Sequence, residues 1–233
     1  MQDTEMQPAL AAMLGQERAG LRLIIGNKNY SSWSMRPWVA MKAFGIPFEE
    51  IRIVLQQPDT TARIAEYSAA GRVPVLLAGD ITVWDSLAIC EYLAEQFSIL
   101  NLWPEDVAAR ATARSICAEM HSGFSSLRSD MPMDIRASLP GKGRTIGSQA
   151  DIGRISEIWE DCLSLYGAHE FLFGDFSIAD AFYAPVVMRF RTYGVSLAPA
   201  LQAYTERVLA HPAVAQWVRE ALLETEGLAN DEN

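Results

Sequence analysis

The sequence predicts a small α/β domain of order β-α-β-α-β-β-α followed by an all-α domain. Three observations carry this expectation. Short aliphatic runs alternate with amphipathic ones as far as Ser98. Ala78-Gly79-Asp80 separates two apolar runs as a hairpin turn would. Beyond Pro104 only helical periodicity remains. The expected boundaries are an N-terminal extension over 1–20, an α/β domain over 21–98, a linker over 99–104 and a helical domain over 105–226.

Leu21-Arg22-Leu23-Ile24-Ile25 is rich in aliphatic residues and runs into the polar turn Gly26-Asn27-Lys28-Asn29, the signature of a strand. From Met35 to Phe44 the apolar residues Met35, Trp38, Val39, Met41 and Ala43 recur at helical spacing, and Gly45 sits where a helix-ending glycine belongs. Pro37 is tolerated in a first turn, which places the helix start close to Ser34. Phe48 to Leu55 alternates as a second strand, and Thr60 to Tyr67 forms a short helix. Val75 to Leu77 and Ile81 to Trp84 make the hairpin, and Ser86 to Phe97 is an amphipathic helix. In the second half, helices are expected over Glu105 to about Arg128, Asp151 to Tyr166, Ser177 to Thr192, Leu197 to Ala210 and Ala213 to Glu224. Pro132, Pro140, Gly141, Gly143 and Gly147 mark Met131 to Ala150 as a long loop.

The 233 residues are 50% hydrophobic and 21% charged, ample for a sizeable core, so disordered, collagen-like and disulfide-miniature classes are excluded. The net charge of -10 repels polyanions and anionic headgroups, so nucleic acid is not an expected partner. No apolar run approaches the ~18 residues of a membrane span, and Asp3 and Glu5 stand where a signal peptide carries positive charge. Cys90, Cys117 and Cys162 lie in apolar helical patterns without CxxC spacing and read as buried, reduced thiols of a cytoplasmic protein. Charge is unevenly spread. Leu21 to Asp80 holds seven basic and five acidic residues, a balance of +2 that leaves -12 for the rest and suits a modest anionic ligand on the α/β domain.

Three segments coincide with predicted strand-to-helix junctions. Tyr30-Ser31-Ser32-Trp33-Ser34-Met35-Arg36 places three hydroxyls at the start of the first helix, either as caps or as a site for an anion, because first-turn amides there lack intrahelical partners. Gly71-Arg72-Val73-Pro74-Val75 opens the hairpin. Pro74 is either an edge residue or a cis proline that leaves the Val73 main chain free for an extended peptide ligand. Trp84-Asp85-Ser86-Leu87 supplies either a plain N-cap or a carboxylate for an α-amino group beside a hydroxyl for an α-carboxylate. On the first long helix, Cys117, Met120, His121, Phe124 and Arg128 form a stripe that is either interdomain core or a pocket wall; Arg189 and Arg191 either face solvent or receive an acidic substrate.

Taken together these segments resemble the glutathione transferase superfamily, over Leu21 to about Leu223. The resemblance implies a thioredoxin-like first half, a helical second half and glutathione as co-substrate, with no metal. The serine-rich segment is most similar to that of zeta-class and related bacterial members. Ser31 falls on the serine that serves the thiol, with Ser32 and Ser34 as its neighbours, and Trp33 stands where zeta enzymes carry a cysteine. Val73-Pro74 matches the family's Val-cis-Pro pair, Asp85-Ser86 its acidic-plus-serine pair for the γ-glutamyl end, and Ser177-Ile178-Ala179-Asp180 its N-capping box. The implied catalytic residues are Ser31 and Ser32; the implied glutathione-binding residues are Ser31, Arg72, Val73, Pro74, Asp85 and Ser86. A homodimer, a small electrophile as second substrate and a detoxifying role are implied as well. The alternatives are a glutathione-dependent isomerase of the maleylacetoacetate type and a non-catalytic binding protein on the same fold. A thiol–disulfide oxidoreductase would place cysteine where Ser31, Ser32 and Trp33 stand.

Overall fold

Strand β1 (Leu21–Ile25) carries buried aliphatic residues on both faces, with Arg22 its one exposed position. Leu21, Leu23 and Ile25 point into the main core, whereas Ile24 points into a second cluster with Ile53, Ile64, Val75 and Leu77. The computed structural model describes residues 20–166 and 170–227; the expected N-terminal extension, apart from Gly20, lies outside them.

Around β1 stand α1 (Ser32–Ala43), β2 (Glu49–Arg52), α2 (Thr60–Ala65), β3 (Val75–Ala78), β4 (Ile81–Val83) and α3 (Ser86–Gln96), in the expected order. The sheet order is β2-β1-β3-β4. β1 runs parallel to β2 with Ile24 opposite Ile51, and antiparallel to β3 with Leu23 opposite Leu76; the β3-β4 hairpin sets Leu76 against Val83. A short 3₁₀ turn at Ser98–Leu100 leads out of this half.

Helices fill the second half: α4 (Val107–Ser122), α5 (Ser125–Asp130), α6 (Ile146–Leu165), α7 (Ile178–Tyr193), α8 (Pro199–Ala210) and α9 (Pro212–Leu223). Residues 171–175 add two isolated β-bridges. α7 is buried along nearly its whole length and packs chiefly against α1, so one continuous core crosses both halves, anchored by the fully buried Trp38, Trp159 and Trp217. Among the described residues no helix is long and apolar enough to cross a membrane.

Three expectations are corrected in detail. α1 begins at Ser32, not near Ser34, because Ser31 caps it; Pro37 therefore sits in the second turn. Gly45 does stand just past the helix end, at φ 66°. The helix expected over Glu105 to Arg128 breaks at Gly123 and Phe124, the latter at φ 58°, although the apolar spacing continues through the break. Arg128 caps the exposed end by donating from Nε to the Gly123 carbonyl at 3.1 Å and from Nη2 to that of Met120. α6 starts at Ile146 rather than Asp151. Thr145 and Ser148 form a reciprocal capping box there that shortens the loop before it. That loop is tied to both halves, by Ile135 N–H to the Asn29 carbonyl (3.3 Å) and Leu139 N–H to that of Thr192 (2.7 Å).

Candidate active site at the first helix start

The turn before α1 is built by local hydrogen bonds. The Tyr30 and Ser31 amides both donate to the Asn27 carbonyl, at 3.2 and 2.8 Å, and the Ser32 amide donates to the Tyr30 carbonyl at 3.0 Å. Ser31 is the N-cap: its Oγ accepts from the Ser34 amide at 3.4 Å, and its hydroxyl donates to Ser34 Oγ at 2.7 Å. Ser34 Oγ in turn accepts from the Gly26 amide at 3.1 Å, joining the end of β1 to the first turn of α1. In that turn the Trp33 amide alone has no acceptor among the described residues. A free amide at a helix N-terminus, where the dipole is positive, is a donor available to an anion.

Beside this turn lies a cleft of about 490 Å³ between the two halves. Trp33 from α1 and His121 from α4 form one wall. Ala70, Arg72, Val73 and Pro74 form the approach to β3, and Trp84 and Asp85 the approach to α3. The Val73-Pro74 bond is cis, and the Val73 main chain has no hydrogen-bond partner among the described residues. Asp85 is the N-cap of α3: its Oδ1 accepts from the Leu87 and Ala88 amides at 3.0 and 3.3 Å, while its Oδ2 lies 3.0 Å from His121 Nε2. The N-cap reading of Asp85 therefore holds through Oδ1, and the same residue lines the cleft.

Charge behind the cleft is positive. Arg36 is 1% exposed and packs its guanidinium 4.3 Å from the Trp33 ring centre; Arg128 packs 4.7 Å from the same ring. Burial, followed by the neighbouring Arg128 and Arg189, pushes the Arg36 pKa down to about 9. Burial and then Arg128 do the same to Arg189. Burial also lowers the His121 pKa; Asp85 opposes this, and Arg36 and Arg128 add to it. The thiols of Cys90, Cys117 and Cys162 are free, buried and pushed upward by that burial, Cys162 to about 12, so none offers a thiolate.

The structure brings Arg72, Val73, Pro74 and Asp85 into one cleft. Ser31 and Ser32 lie beside it, 6% and 5% exposed, and Ser86 is fully buried, its Oγ accepting from Arg36 Nη1 at 3.3 Å. Arg189 is neither solvent-facing nor open to a substrate. It is buried, donating to the Met131 carbonyl at 2.9 Å and to Ser32 Oγ at 3.3 Å. Of the expected stripe, Cys117 and Met120 on α4 and Phe124 at the break after it are core, and His121 reaches the cleft. The sequence offered Asp85 for an α-amino group and His121 for a pocket wall but no sign that they pair, and it left Trp33 and Trp84 without a role, since their meeting requires α4 to cross the α3 N-terminus.

Comparison with known proteins gives this arrangement a family. The glutathione S-transferase N-terminal domain model matches residues 30–96, and the C-terminal domain model matches residues 147–220. A probable maleylacetoacetate isomerase from Caenorhabditis elegans is 25% identical over 169 residues, which is 72% of this chain and 78% of that one. Maleylacetoacetate isomerase from Rattus norvegicus is 28% identical over 171 residues, 72% of this chain and 77% of that one. The crystal structure of a glutathione transferase homolog from Burkholderia, with bound glutathione, superposes with a TM-score of 0.67 at 26% identity, covering 87% of this chain and 98% of that one. The architecture is accordingly a thioredoxin-like α/β half followed by a helical half. The chain belongs to the glutathione S-transferase superfamily.

Proposed function

We propose that the protein binds glutathione in this cleft and presents its thiolate to a small electrophile, as a glutathione transferase. The observation that carries the reading is that one cleft is lined by Val73, whose main chain has no partner among the described residues, by Asp85, and by Trp33 at the helix start, whose amide likewise has none among them. The Val73 main chain suits the backbone of an extended tripeptide. Asp85 suits its α-amino group, Arg72 offers a cation at the cleft margin, and the α1 turn with Ser31 suits the sulfur. Ser32 serves as the neighbouring hydroxyl, and Ser86 holds the α3 start through Arg36.

Glutathione brings the nucleophile, so this chain's residues need only favour the thiolate. A free thiol with pKa ~8.5 is mostly protonated at neutral pH, and each unit of lowering corresponds to about 1.4 kcal/mol. One hydrogen bond to a charged sulfur contributes roughly 1.5–3 kcal/mol, and the helix N-terminus adds to it. To donate, the Ser31 hydroxyl turns from Ser34 Oγ toward the sulfur. Ser34 keeps its bond from Gly26 and so remains in place.

Calorimetric titration with glutathione, with ultraviolet detection of the bound thiolate, tests the reading. Saturable binding with thiolate absorption is expected, and its absence would favour a non-catalytic binding protein. A panel of aromatic halides, hydroperoxides and cis-enedioic acids then assigns the reaction. Glutathione-dependent isomerisation is the second reading, favoured by the likeness to the two maleylacetoacetate isomerases. Trp33 fills the position at which zeta enzymes carry a cysteine, and the acid arm of the panel decides it. The reading includes residues 21–98 as the glutathione-binding unit, 105–226 as the helical unit, a homodimer and a cytoplasmic setting. The buried free thiols and the family likeness support these features.

A further inference from the structure

The turn that delivers Ser31 is gripped from the far end of the chain. The Lys28 and Asn29 amides donate, at 2.8 and 3.0 Å, to the two carboxylate oxygens of Glu224, which lies just past the end of α9. The Glu224 side chain is 7% exposed and takes a third bond from Arg52 Nη1 at 3.2 Å. Other bonds close the turn from the helical side. Trp217 Nε1 donates to the Lys28 carbonyl at 3.0 Å, Asn29 Nδ2 donates to Asp134 at 2.8 Å, and Arg136 Nη2 donates to the Tyr30 hydroxyl at 2.9 Å while Nη1 donates to the Glu224 carbonyl. Arg52 also pairs with Glu226 at 2.7 Å, fastening the segment beyond α9 to the edge strand β2.

We propose that Glu224 is a positioning residue for the thiol-binding turn. The inference rests on the reading of Ser31 as the group that serves the thiol. Two successive amides that converge on one point form an anion-binding concavity, and here the chain's own carboxylate fills it. Removing that carboxylate orphans both donors, and a turn of five residues has few other ways to satisfy them. Any shift of residues 28–29 reaches Ser31 directly, because the Ser31 amide hangs from the Asn27 carbonyl at 2.8 Å in the same turn. Among the described residues, Glu224 makes no hydrogen bond or ion pair to a residue lining the cleft. Its effect is therefore on the placement of the Ser31 hydroxyl and the α1 start, more than on the groups that hold the ends of glutathione.

The test compares the full-length protein with Glu224→Ala and Glu224→Gln. Amide hydrogen exchange at Lys28 and Asn29 should accelerate at least 10-fold in both variants, a readout independent of any activity. Turnover with glutathione should fall about 10-fold or more, while glutathione Kd changes less than about 3-fold and the pKa of the bound thiol rises. Sodium acetate should restore part of the turnover of Glu224→Ala by refilling the gap. If Glu224→Ala does not fold, Glu224→Gln, which keeps the volume, carries the comparison. Unchanged exchange at Lys28 and Asn29, or faster exchange with unchanged turnover and thiol pKa, overturns the proposal. Failure of the wild-type protein to bind glutathione would instead remove the reading of Ser31, with the exchange result still reporting on the clasp.

Discussion

The starts of α1 and α7 use the same device, a serine N-cap, in opposite settings. At α7, Asp180 accepts from the Ser177 amide (2.9 Å), the Ser177 hydroxyl (3.1 Å), the Leu172 amide (3.1 Å) and the Tyr204 hydroxyl (3.1 Å), so its oxygens are fully engaged and closed to solvent. At α1, the Ser31 hydroxyl donates one bond that it can redirect while its oxygen still caps the Ser34 amide, the Trp33 amide has no partner among the described residues, and a cleft adjoins the turn. Saturation marks a structural cap and spare capacity marks a site, because a ligand can be recognised only by groups the fold has not already used.

Replacing Asp180 with Ala should break the closed end most severely. It orphans several buried donors at once, and we expect a loss of about 3 kcal/mol or more of stability by chemical denaturation, with the specific activity of the remaining folded protein retained. Ser31→Ala should do the reverse. Turnover is expected to fall between about 10- and 100-fold with glutathione affinity little changed, while loss of the N-cap costs only about 1 kcal/mol of stability. If both turnover and affinity stayed at wild-type values, thiol activation would pass to Ser32 or Tyr30. Asp85→Ala addresses the opposite end of the same cleft and should weaken glutathione binding by about 10-fold, some 1.4 kcal/mol, measured by titration. Ser177→Ala, which spares Asp180, should cost only about 1 kcal/mol of stability.

The smallest expected effect is a pH slope. Burial holds the His121 pKa below its ordinary value of 6.5, so the unfolded chain binds that proton more readily than the native one. Stability contributed at this position is present above pH 6.5 and declines as the pH falls below it. His121→Gln should flatten that part of the denaturation-versus-pH curve. A steeper curve would mean that the Asp85 pairing outweighs burial.

Local sequence determined the elements and most of their ends. The aliphatic runs that became β1 and β3, the Gly79 hairpin, the Ser177–Asp180 box and the Gly45 stop all act within a few residues, and each was legible there. The identity of the cleft strip at Val73, Pro74 and Asp85 was legible too, because those residues sit at predicted junctions. The break at Phe124 was not legible, since apolar spacing passes through a kink unchanged and the backbone turn is held by Arg128. Nor were the His121–Asp85 pair across 36 positions, the Arg36 and Arg128 contacts on Trp33, or the Glu224 grip on Lys28 and Asn29. Those were decided by tertiary structure alone. Periodicity and capping report bonds between near neighbours in the chain, whereas charges and amides that meet across two halves are chosen by how the helices pack.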